Sequence, residues 1–176
     1  MKREELAIPG VVLLHPQVHA DDRGSFMEIF REEQLGVPFV QGNHSKSRRG
    51  VLRGLHYHRK QSDAWYVLQG EARVGLADMR DRSGQVLTVD LSGDDPAVLY
   101  IPPGVAHGFA AITDMELIYW VTHNYDNTDE LGVAWNDPAL GVPWGIDEPI
   151  LSGRDEAAPP VDWDEIGRTL RPGAST

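Results

Sequence analysis

The chain has 176 residues, 41% of them apolar, which is enough for one well-buried core, and we expect a single domain over residues 1–176. It has no cysteine, which excludes disulfide scaffolds, zinc-thiolate sites, iron–sulfur clusters and cysteine nucleophiles. The 16 basic and 27 acidic residues give a net charge of −11, which argues against nucleic-acid binding because that needs a basic surface.

No apolar run approaches the roughly 20 residues that a membrane span needs. The N-terminal sequence MKREELAIPG lacks the apolar segment of a signal peptide. We therefore expect no membrane association and a cytoplasmic location.

Short segments rich in β-branched and aromatic residues recur along the chain and are separated by clusters of Gly, Pro, Asp and Asn, which is typical of strands joined by hairpin turns. In chain order, the predicted strands cover residues 11–14, 25–30, 51–58, 64–69, 72–79, 86–91, 97–101, 107–112 and 115–122. Helical patterns are limited to residues 31–35 and 164–170, the second with Asp162 or Asp164 as its cap.

Many short strands with little helix predict an all-β fold, namely a jelly-roll β-barrel with short helices. The barrel core is expected over about residues 9–145. The proline-containing residues 146–176 are expected to form an extended C-terminal tail that wraps over the barrel and frays at its end.

The segment from His44 to Lys60 is locally basic in an otherwise acidic protein. It holds six of the 16 basic residues and no acidic residue. This distribution indicates a small anionic ligand that is held locally.

Polar residues interrupt two of the predicted strands. In residues 25–30, alternation places Glu28 on one face with Phe26 and Phe30, so that its carboxylate lies either at a strand edge or in a pocket.

In residues 51–58, strict alternation places His56 and His58 on one face and Arg53 on the other. Gly54 inside the strand is typical of a β-bulge, which would turn Arg53 to the side of His56. The two histidines are either ligand-binding groups or ordinary side chains on a solvated face.

Two later residues are further candidates. His107 follows a Pro-Gly turn at the start of a predicted strand. Tyr119 shares a strand face with Leu117 and Val121, and a buried tyrosine needs a partner for its hydroxyl. Taken alone, a tyrosine in this pattern is more often a core residue than a functional one.

Several motifs, in this order, resemble the dTDP-4-dehydrorhamnose 3,5-epimerase family of nucleotide-sugar enzymes. They are DDRGSFMEIF, FVQGNHS, VLRGLHYH, IPPGVAHGF, a tyrosine-containing strand, GVAWNDPALGVPW and ILSGRD. Their order and spacing match from about Pro9 to about Asp155. The resemblance implies a cupin-type jelly roll, a homodimer, and no metal or organic cofactor.

The resemblance also implies a catalytic set. His56, the histidine of RGLH, would be the general base that removes protons next to the C4 ketone of a dTDP-4-keto-6-deoxyhexose. Asp155 would pair with His56 and stabilise its imidazolium form. Tyr119 would donate a proton to the opposite face of the enolate, so that a carbon next to the ketone is inverted.

The same comparison implies a substrate-binding set. Arg53 and His107 resemble the groups around the diphosphate and the ketone. Nucleotide and sugar contacts are implied for Arg23, Glu28, Gln41 and Asn43, part of them across the dimer.

The chain departs from the family at Asp63, where family members usually carry a lysine that helps to stabilise the enolate oxygen. A carboxylate beside a developing oxyanion opposes the reaction. The family's aromatic pair after the tyrosine strand is here Asn124-Tyr125, so that one ring remains to stack on a base.

Two alternatives stay open. The spacing of His56, His58, Asp63 and His107 also resembles the motifs of metal-dependent cupins, with Asp in place of Glu, which would suit Fe(II), Mn(II), Ni(II) or Zn(II). The other alternative is a non-catalytic sugar-nucleotide binder that has kept the pocket but lost the chemistry.

Overall fold

A computed structural model describes residues 1–170 of the protein. It contains thirteen strands and three short helices within that range. The strands are β1 (Lys2–Glu5), β2 (Val12–His15), β3 (His19–Asp21), β4 (Gly24–Phe26), β5 (Gln41–Ser47), β6 (Leu52–Tyr57), β7 (Asp63–Gln69), β8 (Glu71–Asp78), β9 (Val86–Ser92), β10 (Val98–Ile101), β11 (Val105–Ala111), β12 (Met115–Val121) and β13 (Leu131–Gly132). The helices are α1 (Glu32–Leu35), α2 (Gly153–Glu156) and α3 (Trp163–Leu170).

Two antiparallel sheets form the body of the jelly roll. One sheet has six strands in the order β1-β2-β10-β7-β12-β5, and the other has five in the order β13-β6-β11-β8-β9. A separate hairpin joins β3 to β4. The predicted all-β jelly roll is confirmed, and none of the helices within residues 1–170 is long and apolar enough to cross a bilayer.

The main core lies between the two sheets. Trp65 and Val67 of β7 pack there against Val74 of β8 and Phe109 of β11. The inward-facing side chains are nearly inaccessible to water, and burying each large apolar one contributes roughly 1.5–3 kcal/mol. The two sheets are therefore held at a fixed distance, and that distance sets the width of the space at their open end.

The C-terminal segment covers the outer face of the five-stranded sheet. Ile166 of this segment and Trp144 just before it pack with Leu52 and Leu55 of β6 in a second apolar cluster. This packing is in keeping with the expected wrapping of the segment over the barrel, and α2 and α3 are short helices within it. Asp162 caps α3, since its Oδ1 accepts hydrogen bonds from the Asp164 and Glu165 amides. Residues 171–176, including the end expected to fray, lie outside the described residues.

The predicted strand over residues 25–30 is wrong beyond Phe26. Met27, Ile29 and Phe30 all pack on the outer face of the six-stranded sheet. In a strand, the side chains of the adjacent residues Ile29 and Phe30 would point to opposite faces. Glu28 instead pairs with Arg31, with Oε1 2.8 Å from Nη2.

Candidate active site

A cavity of about 320 Å³ opens between the two sheets. Its walls come from both sheets, because β6 and β11 face β7 and β12 at this end of the barrel. It is lined by Ser45, Arg53, His56, His58, Gln61, Asp63, Trp65, His107, Phe109, Leu117, Tyr119, Tyr125, Glu130 and Arg154. Most of the titratable residues that the sequence singled out therefore share one cavity.

A β-bulge in β6 brings Arg53 and His56 to this cavity. On β11, His107 pairs with His56 and Phe109 pairs with Arg53, so that two residues of β6 lie opposite Gly108 alone. Gly54 has a φ of 126°, and a Cβ there would lie 2.6 Å from the Gly108 Cα. The predicted bulge is confirmed, and the strict alternation that separates Arg53 from His56 is wrong.

His56 is held by an acidic residue from the C-terminal segment. Its Nε2 donates to Asp155 Oδ1 at 2.6 Å, and the Ser152 hydroxyl donates to Asp155 Oδ2 at 2.8 Å. Burial raises the pKa of Asp155, but hydrogen bonds from His56, Ser152 and the Gly54 amide outweigh it and hold the pKa below its usual value. The ionised carboxylate therefore fixes His56 with its hydrogen on Nε2 and its lone pair on Nδ1.

Tyr119 lies across the cavity from the five-stranded sheet. β12 carries it between Asn43 of β5 and Trp65 of β7. Burial raises the pKa of its phenol, and the negative charges of Asp63 and Glu130 add to this effect. The hydroxyl is therefore protonated at neutral pH and available as a proton donor.

His58, Asp63 and His107 form a buried cluster at the cavity wall, and one nitrogen or oxygen from each lies within 4.8 Å of the others. The alternative of a metal-dependent cupin also included His56 in this group. That part of it is wrong, because His56 forms a hydrogen bond with Asp155 instead. Two polar residues that sequence reasoning missed complete the cluster: Gln61 Nε2 donates to Asp63 Oδ1 at 2.9 Å, and Trp65 Nε1 donates to Asp63 Oδ2 at 3.1 Å. Their position two residues on either side of Asp63 is the signal that could have indicated them.

His107 is neutral in this setting. Burial lowers its pKa to about 4, a larger effect than the raising influence of the Asp63 carboxylate. Its Nδ1 donates to the Val105 carbonyl at 2.9 Å. The lone pair of His107 is therefore on Nε2, which faces Asp63.

The basic segment divides its charge between the cavity and the surface. Lys46 and Arg59 pair with Glu116 and Asp129 at 2.6 and 2.9 Å. Arg53 lines the cavity, with its Nε donating to the Ser47 hydroxyl at 3.1 Å. Its Nη2 donates to the Lys46 carbonyl at 3.4 Å. The guanidinium of Arg53 is the charge of this segment best placed for an anion in the cavity.

The other four predicted substrate-binding residues do not line the cavity of their own chain. Gln41 and Asn43 lie on the same face of β5 as the cavity residue Ser45, and the side-chain Oε1 of Gln41 accepts from the Tyr125 amide at 3.1 Å. Arg23 lies at the β3–β4 turn and pairs with Asp21, while Glu28 pairs with Arg31, and both are exposed.

The sequence of the chain matches a known family. Residues 5–162 match the family described as dTDP-4-dehydrorhamnose 3,5-epimerase. The chain belongs to this family. A curated dTDP-4-dehydrorhamnose 3,5-epimerase from Salmonella typhimurium is 40% identical over 170 residues, 89% of this chain and 93% of the relative.

Solved structures of the epimerase family share the fold. A dTDP-6-deoxy-D-glucose-3,5-epimerase from Legionella pneumophila, in complex with dTDP-4-keto-L-rhamnose, has a TM-score of 0.87 at 34% identity and covers 99% of each chain. ChmJ, a 3′-monoepimerase from Streptomyces bikiniensis in complex with dTDP-quinovose, has a TM-score of 0.82 at 32% identity and covers 88% of this chain and 85% of its own. Membership of the dTDP-4-dehydrorhamnose 3,5-epimerase family makes this chain a carbohydrate epimerase of cupin-type fold.

Proposed function

We propose that this protein removes and re-adds protons at C3, C5 or both, next to the C4 ketone of a dTDP-4-keto-6-deoxyhexose. The observation that carries the proposal is the His56–Asp155 pair, which faces the same cavity as the protonated Tyr119. A base and an acid on different walls of one cavity are what inversion at a carbon requires.

In the proposed reaction, His56 Nδ1 accepts a proton from the carbon next to the ketone. The charge of the resulting imidazolium is stabilised by Asp155, 2.6 Å from Nε2. The C–H electron pair forms a double bond to C4, and the π electrons of the ketone move to its oxygen, which gives an enolate. Tyr119 then donates its phenolic proton to the opposite face of the same carbon, and the ketone is restored with inverted configuration. Proton exchange with solvent returns His56 and Tyr119 to their starting forms.

The proposed substrate is supported by the charge of the cavity. Arg53 supplies a fork of donors for a diphosphate, and Arg154 lies on the same rim, although it is paired with Glu130 at 2.9 Å. His107 would lie near the ketone, and Gln41, Asn43 and Tyr125 near the nucleotide. The relative from Salmonella typhimurium is named a 3,5-epimerase, and ChmJ is named a 3′-monoepimerase. Reaction at one carbon or at two is therefore compatible with the fold.

A cytoplasmic homodimer is part of the proposal. Arg23 and Glu28 can reach a substrate only if the β3–β4 hairpin extends to another subunit, because they do not line the cavity of their own chain. Phe26 at the end of that hairpin is 68% exposed, as an interface residue would be in a separated subunit. Light scattering coupled to gel filtration tests the dimer directly, and a monomer that is active at every concentration contradicts it.

Deuterium incorporation tests the reaction. The full-length protein is incubated with dTDP-4-keto-6-deoxyglucose in heavy water, and the C3 and C5 protons are followed by NMR. If the C3 or C5 proton signal is lost with the wild-type protein but not with His56→Ala, the result supports the proposal and shows which carbon reacts. Binding of the nucleotide sugar without exchange at either carbon would show a non-catalytic binder instead.

A further inference from the structure

The cluster of His58, Asp63 and His107 is not used by the proton transfers proposed above. All three side chains are buried, with at most 5% of each residue exposed. His58 Nε2 lies 3.9 Å from Asp63 Oδ1, and His107 Nε2 lies 3.8 Å from Asp63 Oδ2. Three polar side chains therefore converge in a place where burial makes each of them costly unless it is satisfied.

Main-chain hydrogen bonds decide which nitrogen of each histidine faces the cluster. His58 Nδ1 lies 2.8 Å from the Asp129 carbonyl, and His107 Nδ1 lies 2.9 Å from the Val105 carbonyl. Because a carbonyl only accepts, each Nδ1 carries a hydrogen, and the Nε2 of each ring is the nitrogen that faces Asp63 and offers a lone pair when the ring is neutral. Histidines that bind metals are oriented in this way, with the other ring nitrogen donating to a carbonyl or carboxylate.

The carboxylate of Asp63 has no strong countercharge in the described chain. Its hydrogen bonds come from the neutral Gln61 amide and Trp65 indole. Among residues 1–170, the basic side chains within ion-pairing distance of the Asp63 carboxylate are those of His58 and His107. Two lone pairs and a buried negative charge thus point at one another, an arrangement that a cation between them would stabilise.

We propose that His58 Nε2, His107 Nε2 and the Asp63 carboxylate bind one divalent transition-metal ion at the wall of the cavity. Two imidazoles and one carboxylate favour Zn²⁺, Fe²⁺, Co²⁺ or Ni²⁺ over Mg²⁺ and Ca²⁺, which prefer oxygen ligands. Bonds of about 2.0–2.2 Å place the ligand atoms of one ion about 3–4.3 Å apart. The two nitrogen–carboxylate separations, 3.9 and 3.8 Å, already lie in this range.

Gln61 occupies a defined place in this site. Its Nε2 lies 3.2 Å from His58 Nε2 and 2.9 Å from Asp63 Oδ1, and so it bridges the two groups that the ion would bridge. Binding therefore requires the Gln61 amide to rotate away or to present its oxygen. Such a rotation leaves both histidines and the carboxylate in place.

The ion has a use in the proposed reaction, and this part of the inference rests on the proposed function. Asp63 stands where the family resemblance expects a lysine, and a lone carboxylate next to a developing enolate oxygen opposes its formation. A divalent ion bound by Asp63 reverses the sign of the local charge. Because the cluster lines the same cavity as His56 and Tyr119, an ion held by it would lie at the wall of the space for the ketone and would stabilise the negative charge of the enolate oxygen.

Metal titration of the full-length protein tests the site. The protein is treated with a chelator, dialysed and titrated with Zn²⁺ by calorimetry and with Co²⁺ by visible absorption. We expect one ion per chain with a Kd below about 1 µM and cobalt bands that indicate nitrogen ligands. Absence of stoichiometric binding overturns the proposal.

Asp63→Asn and His107→Gln remove one ligand each with little change in volume. Loss of a hydrogen bond to a metal ligand weakens metal binding about 10–100-fold. Loss of a ligand itself should weaken metal binding by more than this. His44→Gln is the matched control, because His44 also lies 2.9 Å from a carboxylate, that of Glu116, but on the surface. Equal affinity in the two ligand variants and the wild type would place the ion elsewhere and overturn the proposal.

X-ray absorption spectroscopy of the zinc-loaded wild-type protein identifies the metal ligands and does not depend on the folding of any variant. We expect about two imidazole ligands, and a shell of oxygen ligands alone contradicts the site. Asp63→Lys supplies a third comparison, since it should bind no metal and should place an ammonium group near the ketone. Its deuterium exchange is expected to be insensitive to the chelator.

The exchange assay separates this inference from the proposed function. Tight binding of metal without exchange in the loaded protein keeps the site and contradicts the epimerase proposal. Exchange at the wild-type rate in protein shown to be metal-free keeps the epimerase and contradicts the role of the ion. Exchange that falls with the chelator and returns with Zn²⁺ or Co²⁺ supports both.

Discussion

His56 Nε2 lies 2.6 Å from Asp155 Oδ1, although the two residues are 99 positions apart in the chain. The contact joins β6 to α2, where Ser152 caps the helix by accepting from the Asp155 amide at 3.1 Å. The C-terminal segment that wraps over the sheet therefore also orients the base. This contact leaves Nδ1 of His56 as the atom that can take a proton in the cavity.

Asp155→Asn tests the orientation of the base. An asparagine keeps the size of the side chain but either donates to His56 or accepts from it without a charge, so that the imidazolium loses its stabilisation. We expect the exchange rate to fall by roughly 10²–10⁴-fold while the fold is kept. Circular dichroism and the NMR exchange assay measure the two effects, and a rate near that of wild type would exclude Asp155 from the reaction.

The lowered pKa of Asp155 also predicts how stability depends on pH. A carboxyl group whose pKa is lower in the folded state stabilises the fold above its unfolded pKa, which is about 3.9, and loses this contribution as the pH falls through the folded pKa. The difference in unfolding free energy between wild type and Asp155→Asn should therefore be constant from about pH 7 to 5 and shrink below about pH 4. Urea unfolding over this range measures it. If the difference in unfolding free energy grew as the pH fell, the pKa of Asp155 would be raised in the folded state and not lowered.

His56→Ala and Tyr119→Phe should separate removal of the proton from its return. Without His56, no proton leaves the carbon, and we expect deuterium incorporation to fall by roughly 10²–10⁴-fold. Without the Tyr119 hydroxyl, His56 can still remove and return a proton on its own face. Tyr119→Phe should thus incorporate deuterium with retained configuration and form little inverted product. If Tyr119→Phe yields the inverted sugar at the wild-type rate, another group is the acid.

Sequence reasoning predicted the features that depend on local pattern. Gly54 within an apolar strand indicated the bulge, and the bulge decides that Arg53 and His56 share a cavity. The structure of residues 27–30 was not predictable from alternation, because Met27, Ile29 and Phe30 pack on a sheet formed by distant strands. β5 was missed for a similar reason, since QGNHSKS has no apolar pattern and is held by its pairing with β12.

The partners of the titratable residues were harder to predict than the residues themselves. His56, Asp63 and His107 could be named from the sequence, but the Gln61 and Trp65 donors to Asp63 depend on how β7 begins within the barrel. The pairing of His56 with Asp155 came from the family resemblance alone, because no local pattern joins residues so far apart. Arg23 and Glu28 stay predictions, since their contribution requires a second subunit.

Arg53→Ala should weaken binding of the nucleotide diphosphate and have a smaller effect on the chemical step. Arg53 lies at the cavity with a guanidinium that can contact two phosphate oxygens. We expect the Kd for dTDP, measured by calorimetry, to rise by at least about tenfold, or about 1.4 kcal/mol. Arg48→Ala is a control for general charge, because Arg48 belongs to the same basic segment but does not line this cavity. Equal affinities in both variants would show that Arg53 makes no specific contact.

Gly54→Ala tests whether the bulge positions the site. A Cβ at residue 54 would lie 2.6 Å from the Gly108 Cα and 2.8 Å from the His107 carbonyl oxygen, at a φ of 126° that favours glycine. β6 and β11 must therefore separate or the bulge must shift, and either change moves Arg53 and His56 together. We expect lower thermal stability and a loss of both dTDP affinity and deuterium exchange.

Gly153→Ala is the matched control for this change, because a Cβ at residue 153 meets no atom within 4 Å and residue 153 has no positive φ. It should leave dTDP affinity and exchange close to wild type. A Gly54→Ala protein that keeps both properties would show that the site does not depend on the bulge, because the added methyl group cannot fit without moving the strand that carries Arg53 and His56.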